Sequence, residues 1–317
     1  MPPPLYTQSV IACIWDFDKT LIPGNMQGPL FVEYGVDEAE FWGEVEALVD
    51  FHANRGEILG RDMAYLLHIL TYVERGIFKN LTNAKLKQLG AELVPVLGMP
   101  EFMDVARKRV EGNPEFAKEG ITVEHYIVST GIRPMIEGST FAGHIDEIWA
   151  NTFVASEAGP GYLDRLDVAA EGDDVIKHVG LFIGNTSKTR ALFEINKGVN
   201  TSPQLDVNAR MTEEQRRVPL RNMIYIADGP SDVPVFSILN TNGGKTLGVY
   251  NLEPSNNYKQ VKELADQGRI QGLAEADFRE GEGAYLWMVD SIDQIAYEIT
   301  ESKQRALAAI KSPPGHA

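Results

Sequence analysis

The 317-residue chain has a single cysteine, Cys13. One thiol cannot close an intramolecular disulfide, which excludes the disulfide-stapled secreted scaffolds and leads us to expect a reducing, cytoplasmic setting. No apolar run approaches the ~18 residues of a membrane span. The opening MPPPLYTQ lacks the basic-then-apolar order of a secretory signal. Positive charge is also scarce: 29 Lys and Arg stand against 45 Asp and Glu, a formal net charge of −16. Phosphate backbones and anionic lipid surfaces both reward a basic face, so neither nucleic acid nor membrane is expected as a partner. What is present, 44% apolar and 23% charged residues, is the composition of an ordinary globular chain long enough for two domains.

The apolar segments are short and spaced. Ser9–Trp15 (SVIACIW) is rich in β-branched and apolar residues and reads as a strand buried on both faces, with Cys13 as a small core hydrophobe. Comparable runs lie at His125–Val128, Arg221–Ala227 and Thr246–Tyr250, with helical patterns between them, so the class is α/β. From about Pro23 to Val96 the pattern is helical throughout. One helix takes in Phe41, Val45, Leu48 and Val49. A second runs through Met63, Leu66, Leu67, Leu70 and Val73 and stops at Gly76; a third is capped by Thr82. This stretch reads as a helical domain of residues 23–96 inserted after the first strand, and its aromatics, from Phe31 to Tyr72, read as its interior. Pro100 suits the first turn of a helix running to about Val110. Residues 111–120 and 198–219 read as exposed or irregular, and the tail from Ser312 (SPPGHA) as disordered.

The chemistry gathers at strand ends. Asp16-Phe17-Asp18-Lys19-Thr20 follows the first strand, Ser129-Thr130-Gly131 the second, and Asp228-Gly229-Pro230-Ser231-Asp232 the run 221–227. In an open α/β sheet, ligands bind beyond the carboxyl ends of the strands. Two carboxylates one residue apart at that edge need a cation or a shared proton. Thr20 also has the position of a turn-capping hydroxyl. No His/Cys cluster of metal-ligand spacing accompanies these residues, and His52, His68 and His125 sit in unrelated segments.

This combination resembles the haloacid dehalogenase-like superfamily, in particular its phosphoserine phosphatase-like members with a helical cap. The family's first motif, an apolar strand ending D-x-D-x-T, is matched by Asp16, Asp18 and Thr20; its second by Ser129; its fourth, G-D-G-x-x-D, by Asp228, Gly229 and Asp232, with Ala227 for the first Gly. Its third, a lysine opening a helix, is matched by Lys188 in NTSKTRALFEINKG, where Thr186 or Ser187 has the position of a cap; Lys197, at the other end of that helix, is the alternative. Trp149–Phe153 (WANTF) resembles a short strand of the same members.

The resemblance implies a Rossmann-like parallel sheet with helices on both faces, formed by residues 1–22 and 97–317, carrying the 23–96 insertion as a cap. It implies Asp16 as nucleophile and Asp18 as acid and base. Thr20, Ser129, Thr130 and Lys188 would surround the phosphoryl oxygens. Mg2+ would be held by Asp16, the Asp18 carbonyl and Asp228, with Asp232 orienting Lys188 or a metal-bound water and Ser231 beside it. The expected activity is hydrolysis of a small phosphorylated metabolite through an aspartyl-phosphate. The rival readings are a phosphomutase or phosphotransferase of the same family, and a non-catalytic receiver-like module. Phosphoserine phosphatases place a Glu seven residues after the second motif-one aspartate to hold the substrate amine. Asn25 stands there, an uncharged amide in place of a carboxylate, which argues against phosphoserine as substrate.

Overall fold

The computed structural model describes residues 7–155, 161, 163, 174–202, 204–253 and 256–311; the tail from Ser312 lies outside them. In chain order the elements are β1 (Val10–Trp15), α1 (Gly28–Tyr34), α2 (Glu38–Ala53), α3 (Arg61–Glu74), α4 (Asn83–Gly90), α5 (Glu101–Glu111), α6 (Pro114–Lys118), β2 (Thr122–Ile132) and α7 (Arg133–Gly138). They continue with β3 (Glu147–Val154), β4 (His178–Leu181), α8 (Lys188–Lys197), β5 (Met223–Ala227), α9 (Val233–Thr241), β6 (Lys245–Tyr250), α10 (Tyr258–Asp266), β7 (Gly272–Glu275) and α11 (Gly283–Lys311). The seven strands form one sheet in the order β4-β3-β2-β1-β5-β6-β7. All pairs are parallel except β3 with β4, so the expected parallel sheet carries one antiparallel edge strand.

The central strand shows why both faces are covered. Successive side chains of a strand point to opposite faces. Ile11, Cys13 and Trp15 join a cluster with Phe102 and Met103 of α5 and Met288 and Ile292 of α11. Ala12 and Ile14 join the opposite cluster with Ala191 and Leu192 of α8 and Phe236 and Leu239 of α9. Cys13 is fully buried as expected, and that burial pushes its thiol up to about 12.

The helical stretch between β1 and α5 forms as its sequence pattern reads. Asp37 caps α2 by accepting from Glu40 N (2.8 Å), and Thr82 caps α4 by accepting from Lys85 N (3.0 Å). Gly76 ends the α3 turn with φ +73°, a left-handed conformation that costs glycine nothing. α4 lies so close to α7 that a Cβ on Gly90 would sit 2.0 Å from the Met135 carbonyl oxygen, and one on Gly138 1.7 Å from that of Lys87. Residues 111–120 differ from the expected loop. Asn113 caps the short helix α6 through Glu115 N (3.0 Å), and Phe116 is buried with its ring edge-on to Tyr297 of α11. A burial partner more than 180 residues away gave the local sequence no reason to show it. Among the described residues no helix is long and apolar enough to cross a membrane.

Candidate active site

Strand order reverses at β1, which has β2 on one side and β5 on the other, and a crevice opens at the carboxyl end of such a strand. Asp16 is the first residue beyond β1, its N–H donating to the Ile226 carbonyl of β5 (2.9 Å). Two residues on, Asp18 Oδ1 accepts from Met26 N (3.0 Å), and Lys19 turns the chain with φ +57°. Asp228 directly follows β5. Its Oδ2 accepts from Asn257 Nδ2 (3.0 Å), at the start of α10.

Lys188 is the pivot. Its side chain is fully buried at the start of α8, and Nζ donates to Asp16 Oδ1 (2.9 Å) and Asp232 Oδ1 (2.6 Å). Lys197 points elsewhere, its Nζ donating to the carbonyls of Val207 (2.5 Å) and Ala209 (2.7 Å). The geometry therefore separates the two lysines that the sequence left open. Neither Thr186 nor Ser187 caps α8 through its side chain as expected. Ser187 Oγ instead accepts from Gly184 N (2.7 Å) and closes the preceding turn.

Asp232 is fully buried and heavily bonded: Oδ1 also accepts from Tyr225 OH (2.5 Å) and Oδ2 from Ser231 OH (2.7 Å). Carboxylate oxygens of Asp16, Asp228 and Asp232 lie within 4.8 Å of one another, close enough to share a cation. Both Asp232 oxygens are already engaged, so Asp16 and Asp228 are the carboxylates best placed to bind one.

The electrostatics follow from burial. Burial lifts Asp16 well above the usual carboxylate range; Lys188 opposes the shift, and the charges of Asp232 and Asp228 add to it. Burial lifts Asp18 to about 7 against the Met26 hydrogen bond, and lifts Asp228, with the neighbouring Asp232 charge, to about 6. Burial alone would lower Lys188, but Asp16 and Asp232 outweigh it and hold the ammonium above its ordinary value. One buried lysine thus faces a group of carboxylates that resist ionising together. All-oxygen donors with a charge deficit suit a hard divalent cation such as Mg2+.

Asp16, Asp18, Ser129, Thr130 and Asp228 line a cavity of ≈ 350 Å³, with Trp42 and Val45 of α2 and Arg61, Asp62 and Tyr65 of α3 forming part of its wall. Tyr65 is buried and Trp42 packs against the same core, as expected, though both also reach the cavity; Phe51, 56% exposed, departs from the expectation that the aromatics of 23–96 are all interior. Asn25 also lines the cavity, with Nδ2 3.4 Å from Glu38 Oε1. Ser129 Oγ accepts from Gly131 N (2.9 Å). Thr20 is not among the lining residues; it is fully buried behind them, and its Oγ1 has no partner among the described residues.

Several residues here were not singled out from sequence. Tyr65 OH donates to the Thr130 carbonyl (2.5 Å) and accepts from Asn151 Nδ2 (2.9 Å), while Asn151 Oδ1 accepts from Ile183 N (2.7 Å). Asp62 Oδ2 accepts from Asn185 N (3.1 Å). α3 is thereby tied both to the segment carrying Ser129 and to the loop leading to Lys188. The WANTF pattern drew attention to Asn151; for Tyr65, Tyr225 and Asn257 no local pattern exists.

The chain belongs to the haloacid dehalogenase-like hydrolases: the model of that family matches residues 13–237. A protein from Borreliella burgdorferi, named only as uncharacterized, is 39% identical over 292 residues, 90% of this chain and 97% of its own. Among solved structures, a haloacid dehalogenase family hydrolase from Salmonella enterica serovar Typhi superimposes with TM-score 0.51 at 14% identity, covering 91% of this chain and 72% of its own. A probable phosphoserine phosphatase from Vibrio cholerae gives TM-score 0.50 at 14% identity, covering 92% and 68%. At that identity the two structures speak for the fold alone.

Proposed function

We propose that the protein is a magnesium-dependent phosphatase that hydrolyses a small phosphate monoester through an aspartyl-phosphate on Asp16. The observation that carries this reading is the buried Asp16–Lys188–Asp232 bridge with Asp228 beside it, in the wall of a cavity shared with α2 and α3. Asp16, the Asp18 carbonyl and Asp228 would hold Mg2+. Bound there, the ion would supply the missing positive charge and polarise the phosphoryl oxygens.

In the first step an Asp16 oxygen attacks phosphorus, the ester P–O bond breaks, and the departing alkoxide takes the proton of Asp18. A carboxyl lifted to about 7 is divided between its acid and base forms at neutral pH, which suits a group that gives a proton in one step and takes one in the next. In the second step Asp18 accepts a proton from water, the water oxygen bonds to phosphorus, and Asp16 leaves as carboxylate with release of inorganic phosphate. Lys188 neutralises charge on Asp16 and on the phosphoryl oxygens, and Ser129 and Thr130 orient those oxygens. Thr20, behind the wall, supports the turn after Asp18. In this reading residues 23–96 form the cap and 1–22 with 97–317 the core.

Asp16→Asn is nearly isosteric, so it should retain the fold and lose Mg2+-dependent release of phosphate from p-nitrophenyl phosphate. Wild-type turnover in that variant would refute the mechanism. Phosphate release in the absence of any acceptor separates hydrolysis from transfer to a second sugar.

A further inference from the structure

Helix α3 reaches the site at two points, and both use side chains of one face. Asp62 and Tyr65 are three residues apart, the spacing that sets helical side chains side by side. Tyr65 is buried, and its OH donates to the Thr130 carbonyl (2.5 Å), to which Asn151 Nδ2 also donates (2.5 Å). The N–H of the same peptide unit, that of Gly131, donates to Ser129 Oγ (2.9 Å). The peptide between Thr130 and Gly131 is therefore held at both edges, and its orientation sets where the Ser129 hydroxyl stands. Tyr65 acts on Ser129 through that peptide.

The second point is the turn before Lys188. Asp62 Oδ2 accepts from Asn185 N (3.1 Å), and Oδ1 lies 3.4 Å from Asn185 Nδ2. A Cβ on Gly184 would come 2.9 Å from Asp62 Oδ2, so the turn passes close against the helix. The Gly184 carbonyl in turn accepts from Lys188 N (3.2 Å). Arg61, exposed in the cavity wall beside Asp62, has no ion pair among the described residues, so the Asp62 carboxylate is not taken up by its neighbour. Asn151 closes the circuit on the other side. It is fully buried, its Nδ2 donates to Tyr65 OH (2.9 Å), and its Oδ1 accepts from Ile183 N (2.7 Å). We propose that Asp62 and Tyr65 are positioning residues for phosphoryl transfer: α3, seated through both, brings the Ser129 hydroxyl and the Lys188 ammonium to their working separation. This inference rests on the phosphatase reading above. Ser129 and Lys188 serve the phosphoryl group, which every substrate shares. Releasing α3 therefore weakens the hold on that group during transfer, whatever the leaving alcohol.

The test uses the full chain with Mg2+ and the variants Tyr65→Phe, Asp62→Ala and Asp62→Asn, with p-nitrophenyl phosphate and glycerol 1-phosphate as substrates. Orthovanadate probes the site, because it binds in the five-coordinate shape that phosphorus passes through in transfer. In Tyr65→Phe and in Asp62→Ala, kcat on p-nitrophenyl phosphate should fall about 10-fold, the loss of a hydrogen bond to a positioned group. The inhibition constant for orthovanadate should rise by a similar factor, and kcat on glycerol 1-phosphate should fall equally. Asp62→Asn keeps an oxygen that accepts from Asn185 N and should stay within about threefold of wild type. The inhibition constant reads only folded, competent molecules, so partial unfolding lowers kcat without moving it. An unchanged inhibition constant beside a lower kcat would make the two residues merely structural. Unequal losses on the two esters would make them contacts to the alcohol, and Asp62→Asn as slow as Asp62→Ala would make the carboxylate act by charge. Each of these overturns the proposal, as does wild-type behaviour in Tyr65→Phe and Asp62→Ala. If wild type hydrolyses the esters and the variants give one of those results, only this inference falls. If wild type hydrolyses neither ester, the phosphatase reading falls and this inference with it.

Discussion

Protonation of His125 provides a quantitative test of how the central strands are held. The ring is fully buried on β2, Nδ1 accepting from Trp15 Nε1 (3.1 Å) and Nε2 lying 3.0 Å from the Met103 carbonyl. An indole donor on one nitrogen and a carbonyl acceptor on the other fix the neutral tautomer with its hydrogen on Nε2. Burial, assisted by the Arg107 charge and the nearby His144 and opposed by the Met103 carbonyl and Asp104, lowers the ring to about 3.

An unfolded histidine titrates near ~6.5. Between that value and 3 the unfolded chain binds a proton that the folded protein refuses, so stability falls as pH falls, by up to ~1.4 kcal/mol per unit. From pH 7.0 to 4.5 the expected loss from this residue is about 2.5 kcal/mol. The raised carboxyls of Asp16, Asp18 and Asp228 act in the opposite sense, since the folded state holds their protons more tightly as pH falls. The wild-type curve alone therefore mixes the two, and a difference is needed. His125→Gln should cost roughly 1–3 kcal/mol at pH 7 for imperfectly replaced hydrogen bonds. That gap should shrink by about 2.5 kcal/mol at pH 4.5. Urea unfolding followed by tryptophan fluorescence measures both. Parallel pH curves for the two proteins would refute the assignment of a neutral, locked imidazole.

Other consequences are as direct. Lys188→Ala should lower kcat on p-nitrophenyl phosphate by two or more orders of magnitude, and Lys197→Ala by much less, since only Lys188 reaches Asp16; equal losses would show that the helix is misread. Gly138→Ala should destabilise by about 3 kcal/mol, because a Cβ 1.7 Å from the Lys87 carbonyl must force α4 from α7. Gly43→Ala, in α2 with nothing within 4 Å of the added carbon, should stabilise by about 0.5–1 kcal/mol; thermal unfolding compares the two. Saturating Mg2+ at ~100 times its dissociation constant should add about 2.7 kcal/mol of stability to wild type. Asp228→Asn should abolish that gain, and calorimetric titration of the two proteins with the metal checks it.

The strands that deliver the site were readable because a buried parallel strand needs a short β-branched run, and each such run ends in its reactive residues. Where burial depends on distant partners, local sequence is silent. Phe116 needs α11 and β4 needs β3. β7, with the sequence GLAE, has no apolar run to announce it and is completed by pairing with β6. Between Lys188 and Lys197 the sequence favoured Lys188, which opens the helix, but both lie on that helix and only its docking shows which one reaches Asp16.

From its amino acids alone, then, the chain determined an α/β sheet with acidic strand ends, a helical insertion after the first strand, and an excess of negative charge that calls for a cation. Local patterns suffice for these, since periodicity, capping and composition act over a few residues. Tertiary structure alone decided that Lys188 bridges Asp16 and Asp232, and that Tyr225 and Ser231 occupy the rest of Asp232. Hydrogen bonds are made or missed within about an ångström. At that scale the packing of segments distant in sequence, and not the identity of any one residue, sets the outcome.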